Sequence, residues 1–379
     1  MSDSVTAHTA GAHLAGPLSG ERIAWIDTAR ALAVVGVVLF HIGFLHYQPQ
    51  LGPAVGGPAA LWHHVDGLLG SFRMPMLLML SGVLAAGKVR RGLRSGTAVE
   101  SSVANYYLYV VWLGVYLLVI PDETFPLGVA DLPDLARQVL LPDTTLWFIQ
   151  CLALGVLLLT ALRRVPAAVV VGVLALLHLV VQSFPSSDQM WVRTLPYYVY
   201  LAVGVHLAAR LRRLTDSPLA TAAAGVVFAG AWVLLQLTEG DGARPVHAVA
   251  NLVACLAAAV LLMGVARLLC LWRPVATVGS FVGRRTLEIY VLHLPMVAAL
   301  RMLPADRLDG LRGVLAAHPA LALAYPPVVA CAFVALSLAL RVLLDRIGLR
   351  WLFTMPEPLC RQVRRWRAPQ EQRHTASVG

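Results

Sequence analysis

Residues 25–45 read WIDTARALAVVGVVLFHIGFL, an apolar run interrupted by Asp27, Thr28, Arg30 and His41. Its length matches the roughly 20 residues that one α-helical membrane crossing requires. Outward from it the pattern repeats: segments 65–86, 105–120, 146–162, 165–184, 195–211, 219–237, 246–265, 286–303 and 319–344 are each apolar, with short polar or Pro- and Gly-rich connections between them. Hydrophobic residues make up 58% of the 379 positions and charged residues only 13%. That charged share is about half of what an ordinary soluble domain carries, so a soluble globular fold is excluded. The expected fold is all-α, a polytopic membrane helix bundle of about ten transmembrane helices.

The formal charge of +10 raises the question of nucleic acid, and the positions of the basic residues answer it. With the N-terminus inside, cytoplasmic segments hold 21 of the 30 Lys and Arg residues, and the outer loops hold only Arg137, Arg193, Arg244, Arg301, Arg307 and Arg312. Short cytoplasmic loops retain Lys and Arg during insertion, so this split places both termini in the cytoplasm. The basic character then serves membrane topology, contact with anionic lipid and attraction of a phosphate-bearing ligand from the cytosol, and no nucleic-acid partner is expected. Residues 1–21 form a flexible cytoplasmic N-terminus, residues 22–354 a transmembrane domain, and residues 355–379 a Pro- and Arg-rich cytoplasmic tail expected to be disordered or bound to the membrane surface. Five cysteines without a C-x-x-C pair suggest neither a disulfide framework nor a metal site. Chemistry must occur within the bundle or at its mouths.

Ionisable side chains inside a span cost about 2.5–3.5 kcal/mol on insertion scales, so each one invites an explanation. Asp27 and Arg30 are i, i+3 neighbours near the cytosolic end of the first span. His41 follows Arg30 by eleven residues, which returns it to nearly the same helix face about 16 Å further along the axis. One stripe thus carries a carboxylate, a guanidinium and a deep imidazole. Arg73 lies in the outer half of the second span, where it needs a water-filled cavity or a partner such as Asp66 or Glu288. His293 supplies a second deep imidazole in the ninth span. Trp147 and Phe148 fit an interfacial aromatic belt as well as a ligand contact, and His178 and His206 read as packing. The chain lacks a P-loop, a dinucleotide fingerprint, H-E-x-x-H and G-x-S-x-G. An inventory of histidine and arginine suits proton transfer and the handling of an anionic or carbonyl ligand. It also suits a proton-coupled transporter or exporter of a lipid-linked sugar or metabolite, although no inverted halves are visible.

Taken as a set, Asp27-x-x-Arg30 followed by ten residues and then His41, Phe72-Arg73-Met74-Pro75, Ser81-Gly82, Arg91-x-x-Arg94, Trp147-Phe148 and Tyr290-Val291-Leu292-His293 are distinctive. The chain resembles, over about residues 22–345, the acyltransferase-3 family of integral membrane O-acyltransferases, and within it the fucose 4-O-acetylase-like branch. Met76 to Leu80 depart from many relatives in being aliphatic where those carry paired phenylalanines. The resemblance implies a ten-helix core, and a composition in which all but one of the basic residues are Arg and Ala, Val and Leu are abundant points to a bacterial source and so to a cytoplasmic membrane. The resemblance also implies transfer of an acyl group, usually acetyl, from cytosolic acyl-CoA to a hydroxyl of a sugar or glycoconjugate at the outer face, as in polysaccharide modification. On the same basis Arg30 and His41 are the essential pair, Arg91 and Arg94 hold the coenzyme and His293 is a late catalytic histidine; no metal is expected, because zinc and heme ligand spacings are absent from the sequence. The implied roles for this chain add Arg73 to the catalytic set and Arg30 and Ser81 to the coenzyme contacts, with a homodimeric copy and membrane lipid as further partners.

Overall fold

A computed structural model describes residues 20–120, 131–141, 143–184, 189–240 and 244–364. The N-terminal stretch before residue 20 and the tail beyond residue 364 lie outside them. The longer helices, in chain order, are α1 (Gly20–Ile42), α2 (Gly57–Arg91), α3 (Thr97–Val119), α4 (Leu132–Leu140), α5 (Trp147–Ala161), α6 (Ala167–Ser183), α7 (Tyr198–His206), α8 (Ala208–Asp216), α9 (Pro218–Leu237), α10 (Arg244–Leu269), α11 (Arg273–Gly283), α12 (Thr286–Arg301), α13 (Ala305–Ala317) and α14 (Pro319–Arg346).

Among the described residues seven helices are long and apolar enough to cross a membrane, or eight when α12 and α13, bent by 96°, count as one. The difference from ten has local causes. α6 is apolar but has only 17 residues, and the segment 195–211 breaks into a 3-10 turn, the nine-residue α7 and the amphipathic α8. Nine helical residues rise about 13 Å, half the hydrocarbon core, so α7 is an internal helix and not a full crossing. It is held by a crossing without side chains. A Cβ on Gly82 would strike the Leu201 carbonyl, and one on Gly204 would strike the Met79 carbonyl. Small residues permit this backbone approach, which offsets the absence of a hydrophobic driving force inside lipid.

Burial separates central from peripheral helices. In the most apolar windows of the first two spans 61% and 67% of residues are buried, against 17% in α9 and α14, whose apolar side chains face outward. α1 packs against α2, α10, α11, α12 and α14 and is the axis of the bundle. α11 reaches it through Gly279 and Gly283, where added Cβ atoms would meet Thr28 and the Asp27 backbone.

Prolines inside these helices leave carbonyls without an N–H donor four residues on, a costly defect in an apolar interior. Three such carbonyls are met by side chains from neighbouring elements. Pro295 frees the Val291 carbonyl, which accepts from Tyr116 Oη at 2.9 Å. Pro326 frees that of Ala322, which accepts from Tyr47 Oη at 2.9 Å, and Pro327 that of Leu323, which accepts from Trp62 Nε1 at 3.1 Å. The prolines therefore fix which helix sits beside which. At the other end Leu352 and Phe353 return to the main core, and Trp112 Nε1 donates to the Leu352 carbonyl at 2.6 Å. Of the expected tail, residues 357–364 are helical, about two turns.

Candidate active site

α1 and α12 meet at two levels. Near the end carrying most of the basic residues, Arg30 Nη2 donates to Thr286 Oγ1 at 2.6 Å while Nη1 lies 3.8 Å from Asp27 Oδ1. The second Asp27 oxygen is 4.0 Å from Arg284 Nη1. Asp27 and Thr286 are buried, and the close packing of Gly283 on the Asp27 backbone brings this turn to Arg30. Deeper in the bundle, His41 Nδ1 lies 3.2 Å from His293 Nε2.

The hydrogen bonds around the two imidazoles fix their tautomers. His293 Nδ1 is 2.6 Å from the Tyr290 carbonyl and 3.2 Å from that of Ile289. Carbonyls only accept, so Nδ1 carries the proton and neutral His293 presents a lone pair at Nε2. His41 Nδ1 is 2.8 Å from the Val37 carbonyl. It too must donate, to that carbonyl and to His293 Nε2 together. What is left is the lone pair on His41 Nε2. His293 is 2% exposed and sealed, whereas His41 is half-buried and reachable. One ring can thus meet a substrate and the other stands behind it, the relation of base to orienting group in a hydrolytic triad.

Immediately after His41 the backbone passes into a π-helix, Gly43–Leu51. Gly43 makes room for Asp66: any Cβ there would collide with both carboxylate oxygens. Asp66 is buried, and neither oxygen has a hydrogen-bond donor. Two turns along α2, the Arg73 guanidinium carbon lies 3.5 Å from the centre of the Phe40 ring, a cation–π geometry in the residue adjoining His41. Its Nε and Nη1 have no partner. Of the two partners expected for Arg73, neither Asp66 nor Glu288 forms an ion pair with it among the described residues. The arginine is held by an aromatic face and keeps unspent donors.

Trp147 and Phe148 pack on aromatic residues beside His293 and the turn that begins α7. Trp147 lies 4.8 Å, centroid to centroid, from Tyr197, and buried Phe148 lies 5.4 Å from Tyr290, which in turn is 5.9 Å from His293. Tyr290 Oη donates to the Thr145 carbonyl at 2.9 Å.

At the opposite end of α2, Gly92 and Gly96 adopt positive φ of 76° and 67° and flank the 3-10 turn Leu93–Ser95. This conformation is open to glycine at little cost. It presents Arg91 and Arg94 as exposed side chains, with Arg91 Nε donating to Thr97 Oγ1 at 3.4 Å. Arg163 lies against Gly92 so closely that a Cβ there would strike its guanidinium. Spacing alone did not join Arg163 to the R-x-x-R loop. Ser81 is half-buried beside the Gly82 crossing, about 15 Å along the helix from Arg91. The structure therefore gathers Arg30, His41, Arg73 and His293 around α1, and places Arg91 and Arg94 at the helix mouth.

A family model described as an acyltransferase domain matches residues 23–345. No curated protein matches, and no solved structure does.

Proposed function

Because the chain belongs to the acyltransferase-3 family, matched over residues 23–345, we propose that this multi-pass membrane acyltransferase moves an acetyl group from cytosolic acetyl-CoA to a hydroxyl of a sugar or glycoconjugate at the outer face of a bacterial cytoplasmic membrane. The observation that supports it most is the unspent lone pair on His41 Nε2, left by a hydrogen-bond chain that fixes both neighbouring tautomers.

In this reading Arg91 and Arg94, with Arg163 beside them, hold the coenzyme phosphates, because guanidinium forks match phosphate oxygens. The pantetheine arm then enters the bundle past Arg30 and reaches His41, about 16 Å further along α1. His41 Nε2 takes the proton from the acceptor hydroxyl, whose oxygen attacks the thioester carbonyl. The carbon–sulfur bond breaks, the ester forms, and the coenzyme A thiolate leaves and regains the proton. His293 Nε2 and the Val37 carbonyl accept from Nδ1 throughout, which stabilises the transient imidazolium. Arg73 Nε and Nη1 supply donors for the negative charge that develops on the carbonyl oxygen.

Purified protein in nanodiscs, given radiolabelled acetyl-CoA and a panel of glycosides, should release coenzyme A and label one glycoside. Retained labelling in a folded His41→Ala variant would remove His41 from the chemistry. Membership of an acyltransferase family favours transfer over the proton-coupled exporter.

A further inference from the structure

A second set of polar groups lies apart from the α1–α12 seam. A cavity of about 220 Å³ opens between α2, α6, α10 and the turn that begins α7, with Gly67, Gly70, His178, Gln182, Tyr197 and Asn251 on its wall. Resting on the reading of the enzyme above, we propose that this cavity is the acceptor site and takes a single uncharged sugar ring.

Four observations carry the assignment. The first is an unpaired buried acceptor. His178 is 1% exposed, its Nδ1 is spent on the Pro196 carbonyl at 3.2 Å, and its Nε2 has no partner. Since the carbonyl fixes the proton on Nδ1, Nε2 offers a lone pair to a ligand hydroxyl. A buried group left so costs about 1–3 kcal/mol, and a ligand that donates to it recovers that cost.

The second is a donor on the facing wall. Asn251 Oδ1 accepts from Gln182 Nε2 at 3.4 Å and from Cys255 Sγ at 3.8 Å, which turns the Asn251 amide NH2 away from those contacts and leaves it to donate. With the rings of Tyr197 and Tyr200, 6.1 Å apart, the wall combines amides, an imidazole and aromatic faces. That combination suits a ring with polar hydroxyls and an apolar C–H face.

The third is charge and size. No Asp, Glu, Lys or Arg is among the wall residues, and the neighbouring Arg73 guanidinium is already held on the Phe40 ring, so a charged ligand would be desolvated on a wall that itself offers no counter-charge. The volume lies below the roughly 300 Å³ at which pockets for drug-sized ligands begin, which favours one ring over a chain.

The fourth is position. Gly70 lacks the Cβ that would otherwise stand 3.5 Å from Arg73 Nη1, so the cavity adjoins the guanidinium that stacks on Phe40, next to His41. Gly70 and Arg91 are 21 residues apart on α2, about 31 Å. Donor and acceptor thus approach the imidazole from opposite ends of one helix.

The test uses full-length protein in nanodiscs and methyl hexopyranosides as probes, with hexose 6-phosphates as the charged comparison. Saturation-transfer NMR without acetyl-CoA should show binding of at least one neutral glycoside and of none of the phosphates. The signal should vanish in Gly67→Leu, which adds a branched side chain at the cavity wall, and weaken about tenfold in Asn251→Ala, while acetyl-CoA affinity stays within twofold. It should persist in His41→Ala. A neutral-glycoside signal surviving Gly67→Leu in protein that still binds acetyl-CoA overturns the site, as does preferential binding of the phosphates or no binding by wild type. Glycoside binding that obeys the cavity variants without any release of coenzyme A supports the site and overturns only the acetyl-donor reading.

Discussion

The α1–α12 seam and the α2–α6–α10 cavity both contain buried imidazoles, yet their hydrogen-bond accounts differ. In the seam each ring nitrogen of His41 and His293 has a partner except Nε2 of the half-buried His41. On the cavity wall His178 Nε2 is buried and unpaired. The first region is finished before any substrate arrives, as preorganised catalysis requires. The second is unfinished, as a binding site is before its ligand. Satisfied groups mark where geometry is fixed, and unsatisfied ones mark where something is to be received.

The largest effect should come from the single unspent atom of the seam. His41→Ala should lower kcat by about 10²–10⁴-fold, the range for general-base catalysis, with acceptor binding by saturation transfer retained. If both kcat and acceptor binding fall together, the two regions are one site and the contrast fails. His293→Ala comes next. Val37 still orients His41 in that variant, so kcat should fall about 10–100-fold with both KM values within twofold. His293→Gln, which can return an acceptor to His41 Nδ1–H, should regain part of the loss. No regain would mean that His293 only fills space.

In the cavity the expected signature is reversed. His178→Phe keeps the ring shape but removes both the lone pair and the Nδ1–H that the Pro196 carbonyl accepts, and should raise the acceptor KM about tenfold with kcat changed less and some loss of thermal stability from the orphaned carbonyl. A smaller shift of the other substrate belongs to the helix mouth: Arg91→Ala with Arg94→Ala should raise the acetyl-CoA KM several-fold, and less so at high salt, because exposed charges are screened. Unchanged donor KM would remove these arginines from coenzyme binding.

Much of this was legible in the sequence, for physical reasons. Apolar runs and arginine asymmetry show because the bilayer imposes length and charge on every span separately. Arg30 and His41 show because eleven residues is three helical turns, so one helix carries the information. Their partners did not show. Thr286, behind Arg30, is an ordinary threonine until Gly279 and Gly283 bring α11 against α1. His178 read as packing because its lone pair is unusual only once Pro196 and the wall of a cavity are known. Trp147 and Phe148 read as suited equally to an interfacial belt and to a ligand contact, and their packing on Tyr197 and Tyr290 shows only in the fold. The sixth and ninth spans differ from simple crossings because a Gly82–Gly204 crossing and a 96° bend are tertiary events, to which hydropathy averaged along the chain is blind.

The smallest effect expected distinguishes a rigid seam from a merely crowded one. Pro295 removes the donor that would have held the Val291 carbonyl, two residues before His293, and buried Tyr116 supplies the replacement from α3. Tyr116→Phe leaves the ring and its packing in place and deletes only that donor. Measured side-chain hydrogen bonds inside membranes average about 0.6 kcal/mol, while an orphaned buried acceptor costs about 1–3 kcal/mol. The variant should therefore unfold a few degrees earlier. Its kcat should fall by no more than about threefold, because His293 Nδ1 retains the Tyr290 and Ile289 carbonyls, and acceptor KM should not move, because α3 contributes no residue to the cavity wall. An acceptor KM that rises with the loss of Tyr116 would mean that the buttress of one region holds the other in shape. The two histidine environments would then be coupled through α12 and could not be treated as separable parts.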